Sequence, residues 1–149
     1  MEKVKLKNGL EHSMKISDEG NKYLQVSPFA VIHGDNPRPV VSFYSVKGGK
    51  VSNLTTLKQK QANALFWSTS GRFIILAGKG FNGQLEFYNV DEPETMATSE
   101  HFKATDIEWD PTGRYVATSV TSVHGMDNGF NIWSLNGKLL YRILKDHFF

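Results

Sequence analysis

Hydrophobic and polar residues alternate along most of this chain in short runs. In residues 104–117, Ala-Thr-Asp-Ile-Glu-Trp-Asp-Pro-Thr-Gly-Arg-Tyr-Val-Ala, Thr105, Ile107 and Trp109 alternate with Asp106 and Glu108. A period of two belongs to a strand with one buried face. Asp110-Pro111-Thr112-Gly113 then supplies turn chemistry: Asp at the first position, Pro with its fixed φ at the second, and Gly at the left-handed position. Residues 114–119 are again β-branched and aromatic, so the stretch predicts strand, tight turn, strand.

The unit recurs. Trp67, Gly71, Arg72 and Phe73 stand 42 residues before Trp109, Gly113, Arg114 and Tyr115. Phe29-Ala30-Val31-Ile32 precedes Phe73-Ile74-Ile75-Leu76 by 44, and Val41-Ser42-Phe43-Tyr44 precedes Leu85-Glu86-Phe87-Tyr88 by the same interval. Phe130-Asn131-Ile132-Trp133 follows Leu85 by 45, the extra length falling between Ser119 and Asn128 in a loop that holds His124. A repeat in the low forties with four strands per unit is the signature of a β-propeller blade. The expected fold is all-β: about three four-stranded antiparallel WD40-like blades at 29–61, 62–103 and 104–149, forming an incomplete propeller. Residues 1–28 read as an uncertain N-terminal strand, turn and strand, or part of a blade.

Punctuation between strands is equally regular. Asp35-Asn36-Pro37-Arg38-Pro39 is loop, because Pro donates nothing to a ladder and restricts its predecessor. Lys47-Gly48-Gly49-Lys50 turns into a strand near 51–57, Asp91-Glu92-Pro93-Glu94 into a short one at 95–98, and Asn136-Gly137 into one at 139–144. No stretch reads convincingly as helix. The expected core is Phe29, Phe43, Trp67, Phe73, Phe87, Ile107, Trp109, Tyr115, Ile132 and Trp133. In an open arc two blade faces stay uncovered, and those faces are expected to carry Val41, Phe43, Ile132 and Trp133.

Composition changes this picture little. The chain has 149 residues, 40% of them hydrophobic and 21% charged, with no uninterrupted apolar run near ~18 residues and no apolar region after Met1 that suits a signal peptide. It reads as soluble, unexported and cytoplasmic. Absence of cysteine excludes disulfides and thiolate-ligated zinc. Charge is uneven: residues 1–60 carry ten Lys/Arg against five Asp/Glu, whereas 61–149 carry seven against ten. A basic first part is suited to nucleic acid or an acidic partner, or is simply a differently solvated surface.

Several patterns invite sharper chemistry. Residues 78–83 match G-x-G-x-x-G, but a dinucleotide site needs a helix after the glycines, and residues 84–90 read as another strand. A kinase glycine loop does join strands, yet its catalytic partner motifs are missing. A plain blade loop is the simpler reading. His12, His33, His101, His124 and His147 share no ligand-like spacing, and Asp106 and Glu108 on one strand face suit solvation better than acid–base work. Asn53-Leu54-Thr55 is a sequon of consequence only in a secreted chain. No catalytic residue, cofactor site, metal site or small-molecule substrate is expected, and no membrane contact. Trp67, Trp109 and Trp133 suit core packing better than base stacking; Arg72 and Arg114, each after a turn glycine, can ladder with acids or meet phosphate.

Longer words of the sequence are more specific than the period. Phe29-Ala30-Val31-Ile32-His33-Gly34, Gln61-Ala62-Asn63-Ala64-Leu65-Phe66-Trp67, Asn82-Gly83-Gln84-Leu85-Glu86-Phe87, Glu100-His101-Phe102, residues 106–115 and Asn128-Gly129-Phe130-Asn131-Ile132-Trp133-Ser134 resemble late blades in the propeller of the B-subunit family of eukaryotic translation initiation factor 3. The resemblance runs from about Phe29 to Phe149. It implies a scaffold for translation initiation: the family joins an RNA-recognition-motif domain, a nine-bladed propeller that docks on the small ribosomal subunit, and a helical tail that recruits other subunits of the factor. Contacts with ribosome, ribosomal RNA or partner subunits are then expected among Arg38, Lys58, Lys60, Arg72, Lys79, Arg114 and His124. Departures are Thr69 where the family pattern has Pro, the unmatched residues 1–28, and the lack of the other two domains, which leave a shortened copy or fragment as one expectation. The alternatives are a generic WD-repeat interaction platform and a truncated, non-functional copy.

Overall fold

The computed structural model describes residues 5–6, 27–34, 39–79, 82–121 and 128–144. Twelve strands account for the regular structure of these residues: β1 (Lys5–Leu6), β2 (Ser27–His33), β3 (Val40–Lys47), β4 (Lys50–Leu57), β5 (Ala64–Trp67), β6 (Phe73–Ala77), β7 (Gln84–Asn89), β8 (Glu94–Glu100), β9 (Asp106–Trp109), β10 (Tyr115–Val120), β11 (Gly129–Ser134) and β12 (Leu139–Leu144). They form three four-stranded sheets, each with its strands in chain order and every neighbouring pair antiparallel. The chain divides into two compact units, Met1–Gln61 and Ala62–Phe149.

The first unit holds the sheet β1-β2-β3-β4. Ala30 stands opposite Phe43 and Ile32 opposite Val41; Val41 and Phe43 are fully buried. Phe29 stacks on Tyr44 with ring centroids 5.1 Å apart. On the alternate face His33 Nε2 and Ser42 Oγ lie 2.8 Å apart, and Ser42 reaches Thr56 at 3.3 Å, so the hydroxyl that β3 buries is paired. The strand, turn and strand expected near 14–26, the loop at 35–38 and His124 lie outside the described residues.

The second unit stacks two sheets. Ile75, Ala77, Leu85 and Phe87 from β6 and β7 meet Ile107, Val116 and Trp133 from β9, β10 and β11, with Phe66, Met96, Ala97 and Trp109 at the margin. Phe87 and Trp133 have ring centroids 6.1 Å apart at a tilt of 48°, one of the favourable oblique aromatic arrangements. Burying such a side chain completely is worth roughly 1.5–3 kcal/mol, so this cluster dominates the joint. β7 is buried along almost its whole length, whereas β10 alternates buried and accessible positions.

Each sheet carries an irregularity between its third and fourth strands, at Phe43/Tyr44, Phe87/Tyr88 and Ile132/Trp133. These positions are equivalent in the repeat. A bulge adds local twist and turns the outer strand away from the ladder, so the repeat extends to backbone geometry.

The hairpin turns are built alike. Gly113 sits at φ +71°, and the Asp110 carboxylate accepts hydrogen bonds from the backbone N–H of Thr112, Arg114 and Tyr115 and from the Thr112 hydroxyl. Those bonds, the Thr112 hydroxyl foremost, lower the carboxyl pKa to about 2. Ser68 takes the place of Asp110 in the preceding sheet and accepts from the Phe73 N–H. Thr69, which stands 42 residues before Pro111, donates from Oγ1 to the Pro111 carbonyl at 2.9 Å, so its hydroxyl ties the two turns together.

Three expectations need correction. Tyr115 is not core: it is 47% exposed. Its repeat equivalent Phe73 shares a face with Ile75, which the third sheet covers, whereas the corresponding face of the third sheet has no such cover within the unit. Val41, Phe43 and Trp133 are buried rather than on an open face; Trp133 points toward β7, and of the four residues expected there only Ile132 lies on the accessible side. The last strand of the second sheet runs Glu94–Glu100, longer than the expected 95–98, because its ladder with β7 continues to Gln84.

Candidate interaction surfaces

The joint between the two sheets of the second unit is held by directional bonds as well as packing. Trp109 Nε1 donates to the Phe66 carbonyl at 2.9 Å. Ser99 Oγ donates to the Gly137 carbonyl at 3.3 Å. Buried on β10, Thr118 Oγ1 accepts from Trp133 Nε1 at 2.8 Å and lies 2.7 Å from His101 Nδ1. Every group is used when the Thr118 O–H donates to an unprotonated Nδ1. Burial, and then the charge of Arg142, hold the His101 pKa below its ordinary value of 6.5. His101 therefore stays neutral in the fold while the unfolded chain takes up a proton near pH ~6.5. Stability contributed here is complete above that pH, falls as the pH drops below it, and levels off below the lowered folded value. Denaturation midpoints should decrease between pH 7.5 and 5.5, and His101→Gln should flatten that slope; an unchanged slope would show that His101 is solvated.

The glycine-rich stretch has a structural purpose. β6 leads into it and β7 leaves it, with Gly78 N–H donating to the Gln84 carbonyl and Gly83 N–H to the Gly78 carbonyl. Gly83 has φ +70°, and a Cβ there would stand 1.7 Å from the His101 carbonyl oxygen. The glycine lets the connector between sheets pass against the backbone. Among the described residues no group of three His, Asp or Glu is placed to hold a metal ion, and no helix is long and apolar enough to cross a membrane.

The expected contact residues are scattered across both units. Lys58 is exposed and Lys60 half-buried in the first unit; Arg38 and His124 lie outside the described residues. In the second unit Arg72 Nε meets Asp91 Oδ2 at 3.1 Å and its guanidinium lies over Phe73, 5.5 Å from the ring centroid. Its charge is laddered with an acid, one of the two roles expected of it. Arg114 is exposed. Lys79 is half-buried, and Asn63 pairs with its backbone through both amide atoms. A cavity of about 360 Å³ is lined by Lys79 together with Asp106, Glu108, Phe66 and Ser119.

Pattern reading missed the accessible face of the third sheet. By register Glu108, Ala117, Ile132 and Tyr141 lie in one row across β9–β12, flanked by Tyr115 with Ser134 on one side and Asp106, Ser119, Phe130 and Ile143 on the other. Tyr141 is 56% exposed, and Phe130 packs against it at 6.4 Å. In the preceding sheet the equivalent positions are Phe66, Ile75 and Phe87, the face that β9–β12 bury. The signal was available in the 42- and 45-residue offsets, which align Glu108 with Phe66 and Ile132 with Phe87.

Comparison with known proteins places this geometry. The family model of eukaryotic translation initiation factor eIF2A matches residues 4–149. Proteins named as the B subunit of eukaryotic translation initiation factor 3 are similar to this chain: 76% identical over 119 residues in Nicotiana tabacum, covering 76% of this chain and 17% of that protein; 78% over 126 in Arabidopsis thaliana, covering 81% and 18%; and 46% over 125 in Xenopus laevis, covering 82% and 18%. The resemblance drawn from the sequence words is thereby borne out, while the chain spans less than a fifth of the length of these relatives. A solved structure described as a crystal structure of the eukaryotic initiation factor superposes with a TM-score of 0.72 over 80% of this chain and 30% of its own, at 22% identity, which speaks to the fold. Sheets of the blade type, their repeat-equivalent bulges and the match over nearly the whole chain lead to one conclusion: the chain belongs to the family of eukaryotic translation initiation factor eIF2A.

Proposed function

We propose that this chain serves translation initiation as a non-catalytic stretch of propeller scaffold in the cytoplasm, presenting surfaces to the small ribosomal subunit and to other subunits of initiation factor 3. The observation that carries this reading is the 76–78% identity to the B subunits of the plant factor across 76–81% of this chain. The geometry is in keeping with it: Ser99, His101, Trp109, Thr118 and Trp133 of the second unit are spent on holding its sheets together, and Arg114 and Lys138 are exposed. Scaffolds act through such surfaces.

Charge decides how docking would be tested. Each phosphate neutralised by a basic side chain releases counterion, so association through the basic first part should weaken steeply with salt. Co-sedimentation with purified small ribosomal subunits is expected to fall at least tenfold between 50 and 200 mM salt, on the order set by a few phosphate contacts. Reversal of Lys58 and Lys60 should weaken it more than reversal of Asp91 and Glu92. Salt-independent binding would remove the electrostatic part, and no binding by the folded chain would favour a general interaction platform.

A further inference from the structure

We propose that Ser70 is a phosphorylation site, and that its phosphate takes in the β5–β6 turn the place that the Asp110 carboxylate holds in the β9–β10 turn. The inference does not depend on the ribosomal reading. The two turns are congruent. Ser68 N–H bonds to the Phe73 carbonyl at 2.8 Å and Gly71 N–H to the Ser68 carbonyl at 3.0 Å, as Asp110 N–H does to Tyr115 and Gly113 N–H to Asp110, each at 2.9 Å. Gly71 and Gly113 share a φ of +71°. The backbone therefore turns the same N–H groups inward in both. In the β9–β10 turn those of Thr112, Arg114 and Tyr115 reach the Asp110 carboxylate at 2.8–3.1 Å. The Thr112 hydroxyl foremost, and then these N–H groups, favour the negative charge and bring the carboxyl pKa to about 2. The β5–β6 turn has the donors without the anion. Arg72 N–H reaches the Ser70 hydroxyl at 3.3 Å and Phe73 N–H the Ser68 hydroxyl at 3.2 Å, and the Ser70 N–H has no acceptor among the described residues.

Three hydroxyls stand in this turn, and the structure singles out one. Ser68 is fully buried, and Thr69 spends its hydroxyl on the Pro111 carbonyl. Ser70 is exposed, its Oγ lies 3.1 Å from Ser68 Oγ, and Arg72, two residues on, offers a cation suited to phosphate. In the transfer Ser70 Oγ attacks the γ-phosphorus of ATP on a protein kinase. The Oγ–P bond forms, the bond from that phosphorus to the β,γ-bridging oxygen breaks, ADP leaves, and the hydroxyl proton passes to the kinase's base. The phosphate is then within reach of the N–H groups of Ser70, Arg72 and Phe73, of the Ser68 hydroxyl, and of the Arg72 guanidinium, for which Asp91 competes. Phosphate beside arginine and backbone donors orders a loop through charge-assisted hydrogen bonds, whereas beside a carboxylate it disrupts. At Thr112, the repeat equivalent of Ser70, the same modification would replace a donor to Asp110 with a like charge. Equivalent positions thus respond in opposite directions.

Phosphoserine placed at position 70 of the full chain through an expanded genetic code should raise the thermal midpoint by about 3 °C or more, on the scale of one or two charge-assisted hydrogen bonds. Phosphatase treatment should reverse the gain. Phosphoserine in place of Thr112 should lower the midpoint instead. In a phosphorus NMR titration the phosphate at 70 should lose its second proton at least about half a unit below the ordinary value of ~6, a shift that a phosphate merely exposed to water would not show. The chain isolated from the cells that make it, with phosphatases inhibited, should carry phosphate on Ser70 within its tryptic peptide Gln61–Arg72. A phosphoserine-70 chain that fails to fold, an unchanged or lower midpoint, an ordinary second ionisation, or a cellular chain with phosphate absent from Ser70 would each overturn the proposal.

Discussion

Trp133→Ala is expected to lower the free energy of unfolding by about 3–5 kcal/mol, the range for removing a large buried aromatic side chain. The indole is 4% exposed, packs on Phe87 within the cluster that joins the two sheets of the second unit, and donates its ring N–H to Thr118. Alanine leaves a void between β7 and β11 and takes a donor from a buried hydroxyl. Trp133→Phe separates these effects, because it keeps most of the apolar area and loses the hydrogen bond, at an expected cost of about 1–2 kcal/mol. Lys58→Ala, on an exposed side chain, should stay within about 0.5 kcal/mol. Urea titrations read all three. A loss for Trp133→Ala no larger than for Lys58→Ala would mean that the covered face of the third sheet is misassigned.

Gly83→Ala should cost more than about 4 kcal/mol, in the exceptional class of single substitutions. Two effects add. The backbone at φ +70° lies where a side chain costs roughly 1–2 kcal/mol, and the added methyl would sit 1.7 Å from the carbonyl oxygen of His101. Relief requires the connector to move, which strains the His101 N–H bond to the Gly83 carbonyl, 2.9 Å long, and the His101–Thr118–Trp133 chain beyond it. Gly49→Ala isolates the first effect: its φ is +76° and nothing lies within 4 Å of the new methyl, so it should cost only about 1–2 kcal/mol. Equal losses at the two sites would show that the connector yields freely. The same comparison assigns the glycine motif to sheet spacing.

The Trp133 and Gly83 experiments probe different levels of legibility. The 42-residue spacing of Trp67 and Trp109 and the alternation around Ile107 were enough to place strands, turns and the blade repeat, because side-chain period and turn residues are local consequences of backbone geometry. The aromatic and glycine positions were legible as types, but not as partners. Nothing in residues 78–83 by themselves says that the glycine at 83 yields to a carbonyl 18 residues further on. That depends on how the connector returns to begin the next sheet.

By itself the sequence determined that the chain is all-β, that its units recur every 42–45 residues, that Asp110, Gly113, Asn136 and Gly137 close hairpins, and which family its longer words resemble. Only the tertiary structure decided which face of each sheet is covered. Phe73 and Tyr115 occupy one place in the repeat, as do Phe66 and Glu108, and alternation treats each pair alike. Their environments differ because β9–β12 cover the face that Phe66 and Phe73 share with Ile75, while no sheet of that unit covers the face of Tyr115 and Glu108. Burial is a property of what packs against a strand, and a strand's own pattern records only that one face is suited to it.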